Sequence, residues 1–583
     1  MSTDSQRRSD VSRRHFLGGG AAALGGTALA ASLPAAAAGA AAKDVPGVEV
    51  STFFATAFVE YYGSHPTDSD GDLWANCWAD DDAVYAANGD GKGFDTKNGV
   101  FADTVVNRID GTPATGITGV RLAAGAELGP IWDDPAQYNR KPTGMACVDG
   151  VLYLAMQDLK YGDNAFNESP TASISRSDDH GKTWRATAKA MFPNSRFSTL
   201  FFLDFGRNHE NARRALGARD GDYVYAYGLD WNWRDSYGDV VQDPTRMYLG
   251  RVPRTAIQDR ARWEFFAGAD RGRPRWDSDI IAKVPVLDDP RREYPTIRNP
   301  ALNGANLSVI SQGGVVYNAP LRRYLYTSWT EYTFEFYESP TPWGPWRLFL
   351  HHDAGGYPWY GNLDGNPNPG PKNGGYGTSI PSKFISADGT SMWVQSNYFV
   401  GNAVGRNDYQ FNLRRLRVVP AGRSARSHHP TGPANLARAD GVTPTEKSAH
   451  YGHWEYYNDG DATNSEDSFD QSNKDLDWWG YLWPRSHQLA RVVYTTGKMF
   501  PDGGWFTAYD GGLRVQVRRN FQWVDVADLQ ISPDYPYDNT AGPMQTYTLR
   551  FRPTTGDGIR IVGPPGGASY FTSIAELEVY SDH

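Results

Sequence analysis

Cysteine is nearly absent: Cys77 and Cys147 are the only two in 583 residues. No disulfide framework can hold such a chain together, although one bridge between the two stays open. Beyond the first forty or so residues there is no run of about 18 apolar residues, so no membrane-spanning helix is expected. There is also no block of Lys and Arg past the N-terminus, and the net charge is −10. That balance argues against nucleic acid as a partner. Long helical periodicity is scarce as well, which leaves a β-rich chain as the expectation.

What the sequence does contain begins with an export signal. Ser12-Arg13-Arg14-His15-Phe16-Leu17 is a twin-arginine pattern followed by an Ala/Gly-rich apolar run and A-x-A cleavage sites. Residues 1–42 therefore read as a twin-arginine signal peptide, and the protein as secreted in folded form. The rest is rich in aromatics, 13% of residues with 19 Trp and 33 Tyr. An acidic, Trp-rich, all-β chain suits carbohydrate, whose C–H faces stack on rings while its hydroxyls meet polar side chains. An aromatic-rich core would have the same composition.

Five segments share a polar turn followed by a short aromatic strand. Aligned on Tyr85, Tyr153, Tyr225, Tyr326 and Trp393, they lie 68, 72, 101 and 67 residues apart. A unit of about 70 residues holds four strands, and stacking such units around an axis buries both faces of each. The spacing predicts a five-bladed β-propeller over residues 46–420, with an insertion between the third and fourth blades. Ser177-Asp178-Asp179-His180-Gly181-Lys182-Thr183-Trp184 matches the Asp-box hairpin of propeller blades, with a degenerate echo at Ser386-Ala387-Asp388-Gly389.

Five residues past the aligned aromatics stand Asp90, Asp158, Asp230, Glu331 and Tyr398. Equivalent positions in a propeller share one face, so this predicts a partial ring of carboxylates, though Asp is also common where strands end. The stretch Gly71 to Phe94 carries five aspartates. With Asp80-Asp81-Asp82 as a solvated turn, opposed pairs run from Trp78 with Val84 to Asp72 with Asp90. Two carboxyls so placed are expected to differ in ionisation, the division glycoside hydrolysis requires. Asp72 and Asp90 are the catalytic candidates; Glu331, Asp158 and Asp230 are candidates for tuning or binding, and Trp74 for stacking on substrate. Asp68-Ser69-Asp70-Gly71-Asp72 has a cation-loop spacing too, but lacks the closing glutamate, since Ala79 stands there.

The runs DLWANCWADDDAVYAANGDGKGF, DGDYVYAYG and YGTSIPSKFISADGTSMWVQSN resemble a bacterial propeller family, formerly a domain of unknown function, that includes endo-D-arabinanases. The resemblance covers residues 46 to 420. It implies cleavage of arabinofuranosyl linkages in mycobacterial-type arabinan or arabinogalactan, with Asp72 and Asp90 matching the family's first-blade acids. Sialidases, the rival propellers, carry several Asp-boxes and an arginine set that is not evident here. A non-catalytic, lectin-like propeller or a glycosidase on another glycan is the alternative.

Residues 421–449 read as a linker and 450–583 as a second β-rich domain. Its close, Ile574-Ala575-Glu576-Leu577-Glu578-Val579-Tyr580, with Asn458-Asp459-Gly460-Asp461 upstream, resembles the discoidin (coagulation factor 5/8 C-type) jelly roll. That resemblance implies a carbohydrate-binding β-sandwich, with Asp461 and Glu576 as candidate ligands of a structural Ca2+; Asp-Gly-Asp is as often a bare turn. Trp478, Trp479 and Trp483 are expected in its core. No organic cofactor is implied.

Overall fold

The computed structural model describes residues 48–581 apart from 60–64, 161–167, 234–243, 294–306, 331–332, 354–374, 376, 398–408, 422–434, 440–441, 447–448, 451–453, 471–472 and 521. The twin-arginine segment and Glu331 lie outside the described residues. The fold is nearly all β. Among the described residues no helix is long and apolar enough to cross a membrane.

After β1 (Phe54–Val59), antiparallel meanders follow one another along the chain. The first is β2 (Asp70–Trp78), β3 (Val84–Gly93), β4 (Ala102–Thr112) and β5 (Gly116–Ala124). The second is β6 (Tyr138–Val148), β7 (Val151–Lys160) and β8 (Thr171–Ser177). The third runs β9 (Thr199–Asp204), β10 (Tyr223–Leu229), β11 (Arg246–Pro253) and β12 (Glu264–Asp270). The fourth is β13 (Gly314–Asn318), β14 (Arg323–Trp329), β15 (Thr333–Ser339) and β16 (Arg347–Asp353). A fifth group pairs β17 (Ser391–Ser396) with β18 (Asn412–Pro420), and β1 returns to pair with β18. The aligned aromatics Tyr85, Tyr153, Tyr225 and Tyr326 all fall on the second strand of their meander, and Trp393 falls on β17.

The first strands converge. β9 and β13 pair in parallel, Leu203 opposite Val315, although they belong to successive meanders. Asn76, Thr143, Phe201, Val315 and Ser379, one from each group, line a single narrow channel. Away from it, apolar layers fill the spaces between meanders. Tyr85, Ala87, Met145, Leu152 and Met156 pack between the first and second, and Phe192, Phe197, Trp263 and Val224 between the second and third. Such double-sided burial explains strands that read as nearly continuous apolar runs.

Both turn motifs have the same hydrogen bonding. Asp179 accepts from Ser177 Oγ at 2.8 Å, Thr183 N at 2.9 Å and Thr183 Oγ1 at 2.6 Å. Those donors hold its carboxyl down at about 2. Trp184 Nε1 donates to Gly181 O, and the glycine's φ of 83° explains why that position carries no side chain. Asp388 accepts from Ser386 Oγ, Thr390 N and Thr390 Oγ1, so the echo at Ser386 is a second box in function.

The C-terminal sheet contains β19 (Thr443–Glu446), β20 (Asp477–Thr496), β21 (Arg514–Arg519), β22 (Thr546–Gly563) and β23 (Ser573–Tyr580). β20 and β22 are long and change register as they cross the domain, so one hydrogen-bonded sheet curls over its own apolar core. Trp478, Trp479 and Trp483 are buried there. Thr443–Glu446, expected within the linker, is a strand of this sheet paired to β20. Cys77 and Cys147 are both free thiols, buried between the first two meanders.

The two parts meet at β1. Arg518 forms a bidentate pair with Asp557, both bonds 2.9 Å, and its Nη2 also donates to Ala57 O at 3.0 Å. All of this is buried. Arg518→Met should lower stability by about 3–5 kcal/mol in urea unfolding, because the Asp557 charge is left buried. Arg518→Met combined with Asp557→Leu should recover most of that loss.

Candidate functional site

The hairpin of β2 and β3 begins as the sequence predicts and then departs from it. Trp78 pairs with Val84, Cys77 with Tyr85, Asn76 with Ala86 and Ala75 with Ala87. Past Ala75 the register slips, and Asp72 lies opposite Gly89, not Asp90. Leu73 at φ 65° and Trp74 at φ 42° form the irregular segment, after Gly71 at φ 140°. Two consecutive left-handed residues break the alternation of side chains, as bulges do. The expected direct opposition of Asp72 and Asp90 is therefore corrected.

The slip also relocates Trp74. It is fully buried among Val84, Ala86, Ile109, Phe411 and Leu413, and its Nε1 donates to Gly71 O at 2.8 Å. It is a packing residue, not a stacking surface.

Asp72 and Asp90 nonetheless stay at one end of the first meander, where β2 begins and β3 ends, and both are largely buried. Asp72 Oδ2 accepts from the Tyr409 hydroxyl, which arrives from just before β18. Asp90 pairs with the ammonium of Lys141, a β6 residue with only 2% of its side chain exposed. Each acid thus leans on a different neighbouring meander. Gly89 lies close to Asp72: a Cβ there would stand 2.3 Å from Asp72 Oδ1, so a side chain at 89 would displace that carboxylate. The remaining cation-loop carboxylates diverge, Asp68 towards Thr96 Oγ1 and Asp70 towards Lys92 N.

The other ring candidates differ in kind. Asp158 is fully buried, accepting from Thr171 Oγ1 and Asp133 N at 2.7 Å each. Burial pushes its carboxyl up to about 6 despite those donors. Asp230 accepts from Phe197 N and from Lys283 Nζ, both at 2.8 Å. Both acids brace their strand ends and are poorly placed to touch a substrate.

At the other end of the hairpin, Asp80-Asp81-Asp82 is the turn expected, with Asp82 exposed, and its carboxylates are also engaged. Asp80 meets His180 Nε2 at 3.0 Å and its carbonyl takes Arg207. Asp81 pairs with Arg108 and accepts from the Tyr85 hydroxyl, while Asp82 takes Lys383 and Trp78 Nε1. The turn ties its own meander to three others.

Lys141 and Tyr409 went unrecognised in the sequence. A lysine inside the otherwise weakly charged strand YNRKPTGMACV was a readable signal; nothing local marks Tyr409, 337 residues from Asp72.

In the C-terminal domain, Glu576 Oε1 accepts from Gly460 N, and the buried Oε2 has no hydrogen-bond partner among the described residues. Burial, with Asp459 adjoining, pushes Glu576 up to about 7. Such an oxygen fits a hard cation. Asp461, the expected partner, is exposed and accepts from Thr463 N and Oγ1. The carboxylate beside Glu576 is that of Asp459.

Residues 71–348 match the family model described as a domain of unknown function, DUF4185. No curated protein matches the chain. Among solved structures, a GH43_1 enzyme from Xanthomonas citri is 15% identical with a TM-score of 0.34, over 62% of this chain and 92% of that one. A putative hydrolase from Bacteroides ovatus is 12% identical with a TM-score of 0.35, over 60% and 87%. The family 32 carbohydrate-binding module of Clostridium perfringens NanJ, in complex with galactose, is 19% identical with a TM-score of 0.19, over 24% and 93%.

Because the Asp158 carboxyl sits above its ordinary 3.8 in the folded protein, its contribution to stability is complete below about pH 4 and is lost as pH rises through about 6. Asp158→Asn should match the parent near pH 4 and exceed it by up to about 3 kcal/mol at pH 7.5. Denaturant titrations at the two pH values check this.

Proposed function

We propose that the protein is a secreted glycoside hydrolase cleaving arabinofuranosyl linkages within arabinan-type polymers, with Asp72 and Asp90 as its two carboxyl groups. The observation that carries the reading is their placement. Two buried acids lie on paired strands, Asp72 opposite Gly89 and so one residue from Asp90 in register. Tyr409 and Lys141 fix their orientation from either side. Glycoside hydrolysis needs two held carboxyls, one to protonate the leaving oxygen and one to serve as base or nucleophile. The arabinan preference comes from the sequence resemblance, and export from the twin-arginine pattern.

The C-terminal domain is proposed as a glycan-binding module that brings polymer to these acids. Glu576 Oε2, with the Asn458–Asp461 loop, would hold a Ca2+ ion that fixes the loop to β23. Added Ca2+ should raise the unfolding midpoint and a chelator should reverse it; Glu576→Gln should abolish the difference.

Release of reducing ends from D-arabinan tests the main reading. Asp72→Asn and Asp90→Asn should each slow release about 10³-fold while leaving polymer binding intact. Binding by the parent protein with no release from any furanoside would replace the hydrolase reading with a lectin-like one.

A further inference from the structure

Of the tryptophans among the described residues, only Trp231 is exposed, at 44%. It stands one residue past Asp230, at the end of the third meander's second strand. The same position holds Gly91 in the first meander and Leu159 in the second, and both are buried. Apolar burial therefore does not account for the tryptophan. Its backbone does not favour it either: φ is 71°, a left-handed conformation that a bulky residue adopts only at a cost.

The surroundings hold that conformation firmly. Trp231 N donates to Ser195 O at 2.8 Å, and its carbonyl accepts from Ser169 N at 3.0 Å. Asp230 is fixed by Phe197 N and Lys283. On the other side Trp233 is buried against Trp329, ring centroids 5.4 Å apart. The segment is held by these backbone and side-chain bonds while one indole is left facing water.

Trp231 stands at the same end of its meander's second strand as Asp90 does in the first. Ser169, bonded to the Trp231 carbonyl, donates through Oγ to Gln157 Oε1 at 2.9 Å. Gln157 lies directly across from Lys141, the partner of Asp90. Three hydrogen-bonded steps, from Lys141 to Gln157, to Ser169 and to Trp231, separate the tryptophan's backbone from the acid's partner, on the order of 15 Å. This is the span of a short oligosaccharide, with one sugar at the acids and another about three units away.

We propose that Trp231 is a stacking platform for a sugar unit of the polymer, distant from the cleaved bond, and so sets the preference for long chains over short ones. This rests on the glycosidase reading given above. A flat, rigid ring offers a sugar's C–H face a large contact at little conformational cost.

Three variants separate the roles. Trp231→Gly removes the ring and suits the left-handed backbone, Trp231→Phe keeps an aromatic ring, and Asp90→Asn combined with Trp231→Gly allows binding to be measured without turnover. For arabino-oligosaccharides of eight units, Trp231→Gly should raise KM about tenfold with kcat little changed, and Trp231→Phe much less. For fragments of three units, too short to reach the ring, neither should move KM. The unfolding midpoint of Trp231→Gly should equal or exceed that of the parent. Equal KM values for the octamer in parent and Trp231→Gly would overturn the inference while leaving the hydrolase reading intact. If the parent binds arabinan but cleaves nothing, weaker polymer binding by the double variant than by Asp90→Asn alone would uphold the platform and refute the hydrolase. Unaltered binding in that comparison would overturn the platform as well.

Discussion

A β-sheet covered on both faces must find apolar partners on each side, and in this protein that need is met by arranging successive meanders about a channel. Everything at the candidate site follows from it. The first strands are pressed together, so side chains at their ends can meet partners from another meander. Asp72 reaches Tyr409 and Asp90 reaches Lys141 for that reason. No short stretch of chain contains the site; it exists only where the meanders converge.

The two ends of the first hairpin use charge differently. At one, the Asp80–Asp82 turn spends its carboxylates on His180, Arg108 and Lys383, and serves as a fastening. At the other, Asp72 and Asp90 are buried, the first bonded to Tyr409 and the second to Lys141. Clusters of aspartate that look alike in a sequence thus have different surroundings, set by which neighbouring meanders reach them.

Much of the fold was legible because its signals are local. Asp-Gly turns before Tyr153, Tyr225 and Trp393 marked second strands, and Ser177 to Trp184 announced its own turn. The site was legible only in part. Asp72 and Asp90 stood out as paired acids, yet their register did not, because Leu73 and Trp74 adopt positive φ angles that neither residue favours alone. Tertiary packing imposes that bulge, with Trp74 drawn into a core shared with Phe411 and Leu413, more than 300 positions away. Lys141 and Tyr409 were missed for the same reason. Trp231 was passed over because its neighbour Asp230 carried the repeat.

The pairing of β1 with β18 has a kinetic side. Phe54 and Pro420 are register partners, so β1 waits for β18, made long after it. Until then Phe54, Phe58 and Val59, buried in the finished protein, have no cover. Contacts so distant in sequence slow folding and lengthen exposure to aggregation. The nascent chain therefore has a vulnerable interval that ends only when its two extremities meet.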